Sequence, residues 1–243
     1  MKRILLTIAY DGTAYHGWQV QPNGITVQQT LQDSLEKLLG VRPSVTGCSR
    51  TDAGVHAHKF CCHLDCNDSF PENAFLRGLN SLLPNDIAVI GCREVRNDFH
   101  ARYNCLGKKY IYNMYTGVLD PFKSRYKLHI DKEPDIELMN VFCKGVIGKH
   151  DFEGFSSSKR SVVDTVRTVN ECVTKKDGNH ILFEISADGF LYNMVRILAG
   201  TALYVGYNRI APECYETVFN SKNRNCAGET LPPNGLFLED VYY

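Results

Sequence analysis

The densest run of reactive side chains lies between Gly47 and Ala57, where Arg50, Thr51 and Asp52 follow one another in a polar turn flanked by Gly47 and Gly54. A carboxylate in that setting has two readings. It bonds to its own turn's backbone, as Asp commonly does, or it is an ionised, aimed group that acts as nucleophile or base. A second candidate is Arg196, set among bulky apolar residues in Phe190-Leu191-Tyr192-Asn193-Met194-Val195-Arg196-Ile197-Leu198. A guanidinium left unpaired in apolar surroundings is costly, so a carboxylate partner is expected. Asp188 or Glu184 would make that pair structural, whereas Asp52 would be held ionised by it.

The third candidate is Lys108-Lys109-Tyr110-Ile111-Tyr112-Asn113, which reads as a strand with Tyr110 and Tyr112 on one face. The pair is either a core contact or, at an open sheet face beside two lysines, a platform for a nucleobase. Such stacking contributes ~1–3 kcal/mol per base. From Arg93 to Lys127 eight basic residues face three acidic ones, a local excess of +5, and aromatic residues are interleaved among them. That mixture suits a phosphate backbone with exposed bases. Ser156 to Ser161, which carries Lys159 and Arg160, is a further basic loop, equally readable as solvated surface.

Composition narrows the field. Lys plus Arg and Asp plus Glu each number 27, so any polyanion site must arise from local clustering. The ten cysteines form no C-x-x-C pair. Around His56, His58, Cys61, Cys62, His63 and Cys66 the pair Cys62 and Cys66 has a zinc-like spacing but would need two more ligands from elsewhere, so reduced thiols and no metal are expected. No G-x-x-x-x-G-K-[ST], G-x-G-x-x-G or G-x-S-x-G pattern occurs, leaving triphosphate, dinucleotide and serine-nucleophile chemistry without support. The apolar run after Lys2 and Arg3 stops at Asp11-Gly12 with no small-residue cleavage pattern and reads as a strand. The longest apolar stretch, Phe190 to Val205, holds Asn193 and Arg196 and falls short of the ~20 residues of a membrane span. A cytoplasmic protein is expected.

These groups need a scaffold, and the periodicity supplies one twice over. Strands are expected at Arg3 to Tyr10, Ser44 to Ser49, Val55 to Leu64 and Ile87 to Val95, with helices at Thr26 to Gly40 and Asn73 to Leu83. The second half gives a strand at Lys109 to Tyr115 and a helix over Ile136 to Ile147. A hairpin follows, Val166 to Thr174 with His180 to Ser186 around Asp177-Gly178. An apolar helix over Phe190 to Tyr204 and a strand over Leu236 to Val241 complete it. Strand, helix, two strands, helix, strand is the split βαβ, ferredoxin-like plan. The expected fold is α+β: two ferredoxin-like halves, 1–105 and 106–243, forming a joined mixed or antiparallel sheet. Helices cover one face and an RNA-binding cleft the other. Ser221 to Asn234 reads as a loop.

Along nearly its whole length the chain resembles the TruA-type tRNA pseudouridine synthases. The matching stretches are Tyr10-Asp11-Gly12-Thr13 with Tyr15-His16-Gly17-Trp18-Gln19, Thr26-Val27-Gln28, and Ser49-Arg50-Thr51-Asp52-Ala53-Gly54-Val55-His56-Ala57. Phe99-His100-Ala101-Arg102, Lys109-Tyr110 and Phe190-Leu191-Tyr192-Asn193-Met194-Val195-Arg196 continue the match. The resemblance implies that Asp52 is catalytic, that Tyr110 packs on the target base and that Arg196 pairs with the aspartate. Tyr110, Arg196 and Leu198 would contact the substrate. Arg50 and Arg102, with Phe99, His100, Ala101, Tyr103, Lys159 and Arg160, would contact RNA and turn out the uridine. It also implies a homodimer acting without cofactor on the tRNA anticodon stem-loop, around positions 38 to 40. Conversion of uridine to pseudouridine is an isomerisation, so it needs no redox partner or energy source. The carboxylate either attacks a carbon or removes the C2′ proton, and the sequence does not choose.

Overall fold

The computed structural model describes residues 1–67, 71–157 and 163–243. In chain order its main elements are β1 (Lys2–Tyr10), α1 (Val27–Leu39), β2 (Thr46–Gly47), β3 (His56–Cys66), α2 (Glu72–Leu82), β4 (Ile87–Val95), β5 (Gly107–Tyr115) and β6 (Leu128–His129). They continue with α3 (Ile136–Gly145), β7 (Gly148–Asp151), β8 (Val166–Asp177), β9 (His180–Ala187), α4 (Met194–Gly206), α5 (Cys214–Ser221) and β10 (Leu236–Tyr242). The fold is α+β, in two compact units: residues 1–106 with 237–243, and residues 107–236.

In the first unit β1 is central, antiparallel to β3 on one side and to β4 on the other. Its alternation buries Ile4, Leu6, Ile8 and Tyr10, paired with Leu64, Cys62, Phe60 and Ala57 of β3. Val27, Leu31 and Leu35 of α1 and Phe75 and Leu79 of α2 are buried with them. The α1 helix begins where Thr26, in extended conformation, accepts the Gln29 N–H with its side chain, and it ends at Gly40 with φ +74°. The strand expected at Ser44 to Ser49 is only Thr46–Gly47, paired with His63 and Cys62. One further bond, Cys48 N–H to Cys61 C=O, leads into the Asp52 turn. The return strand β10 lies parallel to β3 at Phe237 opposite His56 and Leu238 opposite Ala57.

In the second unit β5, β9, β8 and β7 form an antiparallel path, with β6 parallel to β5. Tyr112 sits opposite Phe183, and Phe183 opposite Thr174. The Thr174 hydroxyl is 3.6 Å from Cys143 Sγ on α3, which identifies the face the helix covers. The helix expected over Phe190 to Tyr204 begins only at Met194, because Asn193 adopts a left-handed conformation (φ +60°) and breaks the helical path before it. The helix α5 and the short strands β6 and β7 were not expected from the sequence.

None of the ten cysteines is in a disulfide, and six of them are buried. Among the described residues no group of three or more His, Cys, Asp and Glu side chains could hold a metal ion. The histidines of the Cys/His-rich strand do other work: His56 Nδ1 accepts the Gly12 N–H at 3.0 Å, and His63 Nδ1 accepts the Ala101 N–H at 3.1 Å. Among the described residues no helix is long and apolar enough to cross a membrane.

Candidate active site

The Asp52 turn is held from several sides by the loop that follows β1. Trp18 N–H donates to Thr51 C=O at 3.2 Å, and Gly54 N–H donates to Tyr15 C=O at 3.2 Å. The Tyr10 and Thr51 hydroxyls lie 2.8 Å apart, and Val55 N–H closes the turn on Asp52 C=O. Gly17 makes the close approach feasible. Its φ is +81°, and a Cβ built there would stand 2.4 Å from Thr51 C=O. The ring of Trp18 packs on Phe60 at 4.1 Å, tying the clamp to the core. Asp52 is half-buried and Arg50 is exposed. An aspartate on a turn whose backbone is fixed by neighbouring chain is suited to chemistry, since its position is set before any ligand arrives.

The Phe99–Tyr103 loop is built with equal care. Arg3 makes a bidentate pair with Asp65, and its third N–H donates to Phe99 C=O at 2.9 Å. His63 takes the Ala101 N–H, while the Tyr243 hydroxyl donates to Ala101 C=O at 2.8 Å. The Phe99 ring lies 5.0 Å from that of Tyr243. His100 Nδ1 accepts the N–H groups of Arg102 and Tyr103, each at 3.2 Å, and its ring stacks on Tyr103 at 4.2 Å. The result presents Arg102 and Tyr103 to solvent on a fixed base. Burial, then the charges of Arg3 and His100, lower the His63 pKa to about 4 against an opposing pull from Asp65. Ala101 is the correction in this segment. It is fully buried with both backbone groups engaged, so it anchors the loop and offers no surface to RNA.

In the second unit Tyr110, Tyr112, Phe190, Asn193 and Arg196 are the residues of interest. Tyr110 pairs with Ile185 and lies on the same sheet face as Tyr112 and Phe183. That is the face that α3 meets at Thr174, which favours the core-contact reading for Tyr112. Tyr110 is buried, and its ring meets Phe190 edge to face at 5.1 Å. Tyr112 is fully buried, its hydroxyl donating to Pro232 C=O at 2.7 Å. Burial pushes its phenol above the ordinary value, and the nearby Arg196 charge acts against that. Leu198, expected to touch substrate, is also fully buried and belongs to the core of this unit.

Two neutral oxygens engage the Arg196 guanidinium. Its Nε–H donates to Leu231 C=O at 2.6 Å, and Nη1 donates to Asn193 Oδ1 at 2.9 Å. The two carboxylates considered as structural partners are engaged elsewhere. Asp188 accepts the Thr168 N–H, and buried Glu184 lies between Lys109 Nζ at 2.6 Å and Lys175 Nζ at 2.7 Å. Burial raises the Glu184 carboxyl pKa, but the two lysines outweigh it and leave the net value lowered. Lys109 is therefore held on the opposite face of β5 from Tyr110. Lys159 and Arg160 lie outside the described residues. Sequence reasoning missed His63, Tyr243 and Asn193 as organisers. Only Asn193 left a readable trace, a polar residue three positions before Arg196.

The first unit thus carries a clamped aspartate turn and an arginine-bearing loop, and the second an oriented arginine. The sequence profile of the family described as tRNA pseudouridine synthase matches residues 6–104 and 142–243. Three curated relatives match over 100% of this chain and 100% of their own length. They are tRNA pseudouridine synthase A 2 of Clostridium perfringens, 43% identical over 244 residues, and tRNA pseudouridine synthase A of Clostridium kluyveri, 44% identical over 244 residues. The third, tRNA pseudouridine synthase A of Ruminiclostridium cellulolyticum, is 42% identical over 245 residues. The chain belongs to the tRNA pseudouridine synthase family and is an isomerase that converts uridine to pseudouridine in tRNA.

Proposed function

We propose that the enzyme acts on the anticodon stem-loop of tRNA, at positions 38 to 40, with Asp52 as its catalytic carboxylate. In this reading it works as a homodimer in the cytoplasm. The target base leaves the stack at a cost of a few kcal/mol. Arg50 and Arg102 hold phosphates and fill the vacated space, with Phe99, His100 and Tyr103 beside them and Lys159 and Arg160 as further RNA contacts. Tyr110 and Arg196 contact the target nucleotide. The C1′–N1 bond breaks, the uracil turns, and a C1′–C5 bond forms, the C5 proton leaving for N1 by way of solvent or a base. The carboxylate serves either by attacking a carbon or by taking the C2′ proton.

The observation that carries this reading is the Asp52 turn: a half-buried carboxylate on backbone fixed by Trp18, Tyr15 and Tyr10. An ordinary turn aspartate needs no such clamp. The test is Asp52→Ala under single-turnover conditions with unmodified tRNA. Pseudouridine formation should vanish while tRNA affinity stays within a few-fold. Pseudouridine made by the variant would remove Asp52 from the chemistry, and modified uridines mapped outside 38 to 40 would overturn the site assignment.

A further inference from the structure

We infer that Asn193 is a positioning residue for Arg196; the inference rests on the reading of Arg196 as a contact to the target nucleotide. Asn193 occupies the N-cap position of α4, where an Asn side chain ordinarily accepts a backbone N–H of the first turn. Here it makes no such cap. Its Oδ1 instead accepts Nη1 of Arg196 at 2.9 Å, and its Nδ2 donates to Ser157 Oγ at 2.9 Å. The residue also holds a left-handed backbone, φ +60°, which costs most side chains of the L series ~1–2 kcal/mol and Asn less.

Two unusual choices thus coincide at one residue, and both serve the same end. The left-handed turn at Asn193 starts the helix late enough that Arg196 falls in its first turn, where its side chain reaches back past the helix start. The forgone cap frees the amide to hold the guanidinium. With Nε–H fixed on Leu231 C=O and Nη1 on Asn193 Oδ1, two N–H directions are set, and two directions define the plane of a rigid guanidinium. Ser157, whose own N–H donates to Tyr192 C=O, locks the amide from behind. A cation with a fixed plane recognises oxygen acceptors at a set angle, whereas a swinging one supplies only charge.

The test is a double-mutant cycle read by single-turnover pseudouridine formation. Asn193→Gly keeps the left-handed backbone and removes only the amide. The rate should fall ~10–100-fold, the scale on which small misplacements of a catalytic environment are felt. tRNA affinity and melting temperature should change little. In an Arg196→Ala background, Asn193→Gly should add nothing, because the residue it positions is gone. A wild-type rate for Asn193→Gly, or losses that multiply in the double variant, would overturn the inference while leaving the role of Arg196 intact. A wild-type rate for Arg196→Ala would instead sink the parent reading. Ser157→Ala, which leaves the strained residue untouched, is the second probe: a smaller rate loss in the same direction is expected, and no loss counts against the positioning chain.

Discussion

Mild acid should weaken the Phe99–Tyr103 loop through His63. The ring is buried, and its Nδ1 is the acceptor for the Ala101 N–H. A proton on that nitrogen turns the acceptor into a donor facing a donor and leaves a buried N–H unsatisfied. In the folded chain the pKa lies at about 4, against an ordinary 6.5, through burial first and then the charges of Arg3 and His100. The unfolded chain therefore takes up the proton first as pH falls. Stability contributed by neutral His63 is complete above about pH 6.5, declines below it, and is fully lost below about pH 4. At ~1.4 kcal/mol per pH unit the ceiling is about 3 kcal/mol. The Arg3 and His100 contributions act partly through solvent, so a working figure is about 1–2 kcal/mol. The perturbation is His63→Gln, which does not titrate and retains an acceptor. Urea unfolding of both proteins from pH 7.5 to 4.5 gives the comparison: the wild type should lose about 1–2 kcal/mol relative to the variant. Stability curves that run parallel across the interval would refute the assignment of His63 as the acid-sensitive anchor.

Two further outcomes follow from the geometry. Gly17→Ala should lower stability by about 2 kcal/mol or more, since it forces an L residue to φ +81° and a methyl onto Thr51 C=O. Pseudouridine formation should fall with it, as thermal melts and a turnover assay on one preparation would show. Tyr112→Phe should cost about 1–2 kcal/mol in urea unfolding, because Pro232 C=O loses its buried donor. Its turnover should stay close to wild type, as this ring belongs to the core.

Elements with strong periodicity and clear punctuation were legible in the sequence. The strand Ile87–Val95 has the bounds expected of it, and α1 stops where Thr26 and Gly40 cap it. The apolar run from Phe190 was misread because hydrophobicity cannot register a change of backbone handedness at a single residue, Asn193. The two readings of the Tyr110–Tyr112 face stayed open for a related reason. A period of two says which residues share a face, but not which face the helices cover; that depends on contacts such as Cys143 with Thr174. The neutral partners of Arg196 were not foreseen, because a carbonyl and an amide oxygen satisfy guanidinium N–H groups without any charge that the sequence would show. The loop anchors His63 and Tyr243 were invisible because they meet Ala101 from 38 and 142 positions away along the chain.

The placement of β10 has a consequence for biosynthesis. His58 and Glu239, which meet across the β3–β10 pair, are separated by 181 positions. The ribosome must therefore extrude all of residues 107–236 before the first unit's sheet can gain this strand. Until then the end of β3 that will receive β10 presents unpaired backbone, a template for mispairing between nascent chains. Loop closure over so long a span makes this a late step in folding.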